Sequence, residues 1–147
     1  MNRIEDYIPI VGAATVEELG LLANRLRGKT IQNINSTAVG GGVAEILSRM
    51  IPLLSQLQVN AGWEVIKGDE KFFATTKKFH NGLHGVPVEI APDEYDHFLE
   101  VNRDNAEQIG FGDVVFVHDP QPIALVEKRQ VVGKKWVWRC HIDFSQP

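Results

Sequence analysis

The stretch NINSTAVGGGVAEILSRMIPLL, residues 33–54, decides the fold, because three consecutive glycines join a β-like run to a long amphipathic segment. The run TIQNIN, residues 30–35, predicts a short strand. From about Val43 to Leu57, apolar residues recur at helical spacing, which predicts a helix with one buried face. A strand, the glycine loop Gly40–Gly42 and a helix, in that order, are typical of a βαβ unit.

The same alternation of strands and helices extends along the chain. Upstream, residues 15–27 predict a helix with a capping box formed by Thr15 and Glu18 and with Gly28 as its stop. Downstream, the pattern predicts strands at 61–67, 113–118 and 135–142 and helices at 71–84, 92–109 and 123–128. This order predicts an α/β fold, a three-layer α/β/α Rossmann-like parallel sheet with helices on both faces. We expect residues 1–29 to form a helical segment that packs on a domain formed by residues 30–147.

Composition narrows the functional class. The 147 residues are enough for one domain, and the net charge of −4 with no basic cluster gives no argument for nucleic-acid binding. No apolar run reaches membrane-spanning length, and the first residues lack the pattern of a signal peptide. Because Cys140 is the single cysteine, an intrachain disulfide is impossible. We therefore expect a cytoplasmic protein with no membrane or nucleic-acid partner, no bound metal and no cofactor.

The glycine loop is a candidate ligand site. At the start of a helix, free backbone N–H groups and the positive end of the helix dipole attract anions, and glycines let a ligand approach the backbone closely. The loop matches neither the dinucleotide fingerprint nor a P-loop. We expect Gly40, Gly41 and Gly42 to bind a ligand, the alternative being a tight turn that needs positive φ. Glu45 either favours the helix dipole or accepts hydrogen bonds from ligand hydroxyls.

Polar side chains end three of the predicted strands. They are Asn35 and Ser36 after the first, His118 and Asp119 after the third, and Arg139, His141 and Asp143 alternating along the last. Polar groups in buried strands are costly unless they have partners, so this clustering favours a polar-ligand site; the alternative is that each is a satisfied buried group. The spacing of the histidines and aspartates matches no zinc signature. Cys140 and His141 point to opposite faces of a strand, which excludes a Cys–His nucleophile pair.

Longer motifs carry a family resemblance. The segments NINSTAVGGGVAEIL, TKKFHNGLHG, VNRDNAEQI, VFVHDPQPIAL and WVWRCHIDFSQP occur in this order. Together they closely resemble the amino-terminal half of the glycosyltransferring trehalose synthases, which are retaining glycosyltransferases of the two-domain GT-B fold. The resemblance covers nearly the whole chain, from about Ile4 to Pro147.

The resemblance implies a function and roles for particular residues. Such enzymes join glucose from a nucleotide diphosphate-glucose donor to free glucose, giving trehalose. Gly41 and Gly42 would face the donor diphosphate, and His141 would lie beside the donor sugar. An acceptor pocket would be lined by His118, Asp119, His80 and Asn81, with His141 and Asp119 as the catalytic residues. On composition alone, His80 and Asn81 belong to a polar helix face.

The resemblance also implies that a carboxyl-terminal donor-binding domain is missing from this chain. We therefore expect the chain to bind nucleotide diphosphate-glucose, glucose or trehalose without turnover, and its unpaired domain face to favour a homodimer. Two other classes stay open. One is a non-catalytic sugar-binding or subunit-interaction module, and the other is a fragment of a different nucleotide-binding enzyme such as a dehydrogenase. The missing fingerprint weighs against the dehydrogenase.

Overall fold

The computed structural model describes residues 3–143 and contains one four-stranded, all-parallel sheet in the order β2-β1-β3-β4. The two inner strands are β1 (Thr30–Asn35) and β3 (Val114–His118), and the two edge strands are β2 (Asn60–Val65) and β4 (Lys135–Arg139). Helices connect successive strands. The Rossmann-like parallel sheet predicted from the alternating pattern is therefore confirmed.

Six α-helices and two 3-10 helices are described. The α-helices are α1 (Ile8–Val11), α2 (Ala13–Asn24), α3 (Gly42–Gln56), α4 (Glu70–Leu83), α5 (Pro92–Gln108) and α6 (Arg129–Val132), and the 3-10 helices are Ile4–Tyr7 and Ile123–Lys128. Because crossovers between parallel strands are right-handed, α3 covers one face of the sheet, and α4, α5 and the second 3-10 helix cover the other. Among these helices, none is both long and apolar enough to cross a bilayer.

The apolar core lies between the sheet and the layer formed by α4 and α5. Ile34, Val115 and Val117 from the inner strands are fully buried or nearly so. Against them pack Phe72 of α4 and Phe98 of α5, whose stacked rings have centroids 5.8 Å apart. Side chains alternate along a strand, so the opposite face of the same two strands carries different residues. There the buried side chains are polar, namely Asn33, Asn35 and His118.

Two predicted strands continue past the residue at which the observed strand ends. The prediction that β4 runs to residue 142 is wrong, because β4 ends at Arg139, whose partner His118 is the last residue of β3. Beyond this pair, Asp119 has a φ of 64°, which turns the chain away and leaves no ladder for β4 to continue. Consequently Arg139, His141 and Asp143 do not share one face of a strand as predicted. Similarly, β2 ends at Val65, before the predicted residue 67.

The amino-terminal helix begins earlier than predicted. Gly12, with a φ of 87°, separates α1 from α2, so α2 starts at Ala13 and Thr15 lies within it. The predicted capping box is therefore wrong, since the Thr15 hydroxyl donates to the carbonyl of Val11, 2.8 Å away. The helix ends at Asn24 rather than at Arg27, and the turn after it closes at Gly28.

Candidate functional site

The glycine loop lies open at the carboxyl edge of the sheet, between β1 and α3. Gly40 and Gly41 have φ values of 73° and 82°, a conformation that other residues adopt only with strain, and Gly41 is the residue before the first turn of α3. All three glycines are exposed, and a Cβ added to any of them would meet nothing within 4 Å. The loop therefore presents bare backbone at the start of a helix of 15 residues.

The buried side chain of Asn35 is hydrogen-bonded to the first residues of this loop. Its amide nitrogen donates to the carbonyl of Thr37, 2.7 Å away, and its amide oxygen accepts a hydrogen bond from the Trp63 indole at 2.8 Å. The Thr37 hydroxyl in turn donates to the carbonyl of Val39 at 2.6 Å. Asn35 is 2% exposed, so its side chain acts on the loop from inside the protein. Ser36 follows it at the start of the loop and is half-buried.

A hydrogen-bonded chain of three side chains lies beside the loop on the same face of the sheet. The amide nitrogen of Asn33 donates to the carbonyl of Gly62 at 3.2 Å. The Asn33 amide oxygen lies 3.2 Å from Nε2 of His118, and Nδ1 of His118 lies 3.1 Å from Nε2 of His141. His118 is 1% exposed, whereas His141 is half-buried. The two strand-end histidines predicted to share a site are thus in direct contact.

Asp119 and Arg139 shape the turn that carries His141. The Asp119 carboxylate accepts a hydrogen bond from the backbone N–H of His141 at 2.7 Å, while its own N–H donates to the carbonyl of Arg139 at 2.9 Å. The Trp138 indole donates to the Asp119 carbonyl at 2.9 Å. This carboxylate therefore fixes the position of the His141 backbone directly.

Burial keeps the imidazole of His118 neutral at neutral pH. The pKa of His118 is lowered from 6.5 to about 4, first because burial disfavours the imidazolium and then because His141 and Arg139 are nearby, while Asp119 acts in the opposite direction. A neutral imidazole has one donor nitrogen and one acceptor nitrogen. His118 therefore offers one donor and one acceptor to its two neighbours, Asn33 and His141.

The remaining predicted residues lie around this centre. Glu45 is exposed in the first turn of α3, and Asp143 is exposed at the end of the described residues. His80 and Asn81 belong to the last turn of α4, and their contacts are local: the His80 ring packs on His84, and the Asn81 carbonyl accepts from Val86 N–H at 3.0 Å. Within residues 3–143, no group of three or more His, Cys, Asp or Glu side chains is placed to hold a metal ion.

Asn33 and Trp63 are parts of this arrangement that sequence reasoning missed. Both lie on the polar face of the sheet, one on β1 and the other opposite it on β2. A signal for Asn33 was present in TIQNIN, where two asparagines at alternate positions of a buried strand require partners. The partners themselves come from the register of β1 with its neighbours, which the sequence pattern does not specify.

A separate apolar groove of about 550 Å³ lies on the other face of the sheet, the face that α4 and α5 cover. It runs between the end of α4, the start of α5 and the second 3-10 helix, and its lining includes Phe79, Leu83, Tyr95, Ile123 and Trp138. It contains none of the predicted site residues.

Comparison with known proteins supplies the family. Residues 33–147 match the family model described as trehalose synthase, N-terminal domain. The chain belongs to the trehalose synthase N-terminal domain family. The resemblance found in the motifs is therefore confirmed over most of the chain.

The relatives of this trehalose synthase domain are longer proteins than the chain itself. The chain is 43% identical to the trehalose synthase of Thermococcus litoralis, covering 99% of this chain and 36% of that protein. It is 41% identical to that of Rubrobacter xylanophilus over the same shares. It is also 35% identical to a trehalose phosphorylase of Pleurotus sajor-caju, covering 97% of this chain and 21% of the relative. The chain thus spans about a third of the length of the trehalose synthases and about a fifth of the phosphorylase.

Proposed function

We propose that this chain is the acceptor-side domain of a retaining glucosyltransferase that makes trehalose from nucleotide diphosphate-glucose and glucose. Family membership and the names of the relatives, trehalose synthases and trehalose phosphorylases, support a role in trehalose metabolism. A second domain of the GT-B fold would supply most of the nucleotide site, so the present domain would bind sugar weakly and transfer none by itself. A cytoplasmic location belongs to the same proposal.

The observation that carries the proposal is the loop at Gly42. Gly40 and Gly41 have positive φ and need to be glycine for the backbone alone. Gly42 lies outside that region, and outside its own turn of helix a Cβ there would meet no atom of residues 3–143 within 4 Å. The chain itself gives no reason for a glycine at this position. Space for a bound ligand does give one, and the adjoining N–H groups of the first turn of α3 suit a diphosphate.

The neighbouring imidazole pair suits the sugar. His141 is half-buried at the same edge of the sheet as the loop, and an imidazole can exchange hydrogen bonds with hydroxyl groups. In the proposed reaction, the acceptor hydroxyl attacks on the face from which the diphosphate leaves, through an oxocarbenium-like transition state. Backbone N–H groups of the loop would stabilise the departing diphosphate electrostatically, and side chains at the strand ends would position the acceptor. Asp119 contributes by holding the His141 backbone.

The test uses the full-length enzyme that carries this domain. Gly42→Val places a branched side chain where the donor would lie, and His141→Ala removes the ring beside the sugar; both should lower turnover at least about tenfold. Thermal unfolding should change little for Gly42→Val, because this position is exposed. His141→Ala leaves the buried His118 without its partner, so its turnover is compared well below its own unfolding temperature. Gly110→Ala, in open space, and His97→Ala, whose ring bonds to Asp69, are the matched controls. Near-normal turnover of both site variants would contradict the proposal.

The apolar groove favours a second candidate, a non-catalytic subunit-interaction module. An open groove of this kind is typical of a surface that another protein chain covers. This candidate predicts that Leu83→Asp abolishes association with a partner or a second copy, while Gly42→Val has no effect on any measured property of the protein. The two candidates are therefore separated by the same pair of variants.

A further inference from the structure

The direction of each hydrogen bond in the Asn33–His118–His141 chain follows from its first member. A backbone carbonyl only accepts, so the group of Asn33 that faces the Gly62 carbonyl is the amide nitrogen. The Asn33 group that faces His118 is therefore the oxygen, which also only accepts. Consequently Nε2 of His118 carries a proton and donates it to Asn33.

The same logic passes through His118 to His141. In a neutral imidazole with a proton on Nε2, Nδ1 is an acceptor. Nδ1 of His118 lies 3.1 Å from Nε2 of His141, so His141 must donate from Nε2. In the neutral form of His141, a proton on Nε2 places the lone pair on Nδ1. Burial, and after it the nearby His141 and Arg139 on β4, lower the pKa of His118 to about 4 against the opposite effect of Asp119 after β3, so the His118 ring is neutral at neutral pH.

We infer that Asn33 is a positioning residue, which fixes Nδ1 of the half-buried His141 as a hydrogen-bond acceptor and so selects a ligand hydroxyl that donates. This inference rests on the proposed function, because a sugar hydroxyl is the group to which it applies. Asn33 acts through His118 and does not touch the ligand. The chain gives the site a direction: at this position a ligand hydroxyl donates a hydrogen bond to the protein and does not accept one.

The first test measures proton positions in the chain without ligand. Two-bond ¹H–¹⁵N NMR spectra at neutral pH should show protonated Nε2 and bare Nδ1 on both His118 and His141, with slow exchange of the His118 Nε2 proton. In Asn33→Leu the His118 proton should exchange quickly and a measurable population of His141 should carry its proton on Nδ1. Asn105→Leu makes the same change at another buried asparagine, whose hydrogen bonds are to Lys67 and Val101, and its histidine tautomers should match the wild type.

The second test measures the ligand. Glucose and its monodeoxy and monodeoxyfluoro analogues are titrated while the ¹⁵N shift of His141 Nδ1 is followed. At one ring position, both the deoxy and the fluoro analogue should bind about tenfold more weakly than glucose, because fluorine cannot donate a hydrogen bond. If each monodeoxyfluoro analogue binds as tightly as glucose, the selection for a donating hydroxyl is overturned.

The two tests separate this inference from the proposed function. A proton on Nδ1 of His141 in the wild type overturns the inference, whether or not sugar binds, and this result does not depend on the variants folding. If the tautomers are as predicted but glucose causes no change in the spectra, the proton arrangement is supported and the proposed function is contradicted.

Discussion

At the scale of single residues, one face of the two inner strands is unusual because its buried side chains are polar. Asn33, Asn35 and His118 occupy positions that apolar residues fill on the other face, and each is 2% exposed or less. Burial of a polar group costs free energy unless its hydrogen bonds are restored. Here the restored bonds connect the loop, the neighbouring strand and the turn after β4. Stability of the inner strands is thereby tied to the geometry of the site.

The buried imidazole predicts a pH dependence of stability. The pKa of His118 is about 4 in the folded chain and near 6.5 when unfolded, so between these values the unfolded chain binds more protons. The free energy of unfolding should therefore fall as the pH decreases through this window, by at most about 3 kcal/mol from this group. Urea unfolding of the wild type and of His118→Gln at pH 7 and pH 4.5 measures the difference.

In this comparison the wild type should lose about 2–3 kcal/mol more than the variant on acidification. Carboxylates whose pKa values are lowered by ion pairs, such as Asp93 beside Lys71, contribute equally to both proteins. An identical loss in the two proteins would mean that His118 does not resist protonation.

At the scale of elements, the sequence pattern predicts interiors better than ends. The bounds of β1 agree with the prediction at both ends, and α5 differs by one residue, because each carries its own signals: an apolar-polar run before the glycines, and Pro92 with two acidic residues at a helix start. The end of β2 is different. The side-chain amide of Asn105, on α5, accepts a hydrogen bond from the backbone N–H of Lys67 and donates one to its carbonyl, each at 2.7 Å. Lys67 is therefore paired with a residue 38 positions away and not with a neighbouring strand. No local pattern contains that information.

The site shows the same division. His118, Asp119 and His141 were predicted at the carboxyl edge, since parallel strands end together there. The contact of His118 with Asn33 depends on the register in which β1 pairs with β3, where Asn33 lies opposite Phe116. Register is a property of the assembled sheet, so this contact was beyond prediction from the sequence pattern.

The entry into β3 gives a prediction with an internal control. A Cβ on Gly112 would lie 2.6 Å from the backbone carbonyl oxygen of Thr30 in β1, a distance that forces the backbone to shift. Gly112→Ala should therefore lower the free energy of unfolding by about 1–3 kcal/mol. Gly110→Ala, two residues earlier and in open space, should stay within about 0.5 kcal/mol of the wild type. Equal stability of the two variants in urea unfolding would show that β1 and this loop are less closely packed than described.

At the scale of the whole molecule, the two faces of the sheet differ in chemistry, and the buried polar groups lie towards its carboxyl edge. The α4–α5 layer supplies the apolar core, and the opposite face leads polar groups to the edge where the glycine loop begins. The amino-terminal segment joins this body through contacts such as Ile4 N–H to the Gln56 side chain at 2.9 Å. It leaves Leu21 and Leu22 exposed. The chain spans about a third of the trehalose synthases it matches, so the site it carries is proposed as one side of a larger cleft.

The most direct measurement of the central claim is a titration of the ¹⁵N-labelled chain with trehalose, followed by backbone and imidazole NMR shifts. The account predicts saturable changes at Gly40–Gly42 and at the rings of His118 and His141, with the apolar groove around Leu83 and Trp138 unaffected. Saturable changes confined to that groove, or none anywhere along the chain up to high trehalose concentration, would contradict it.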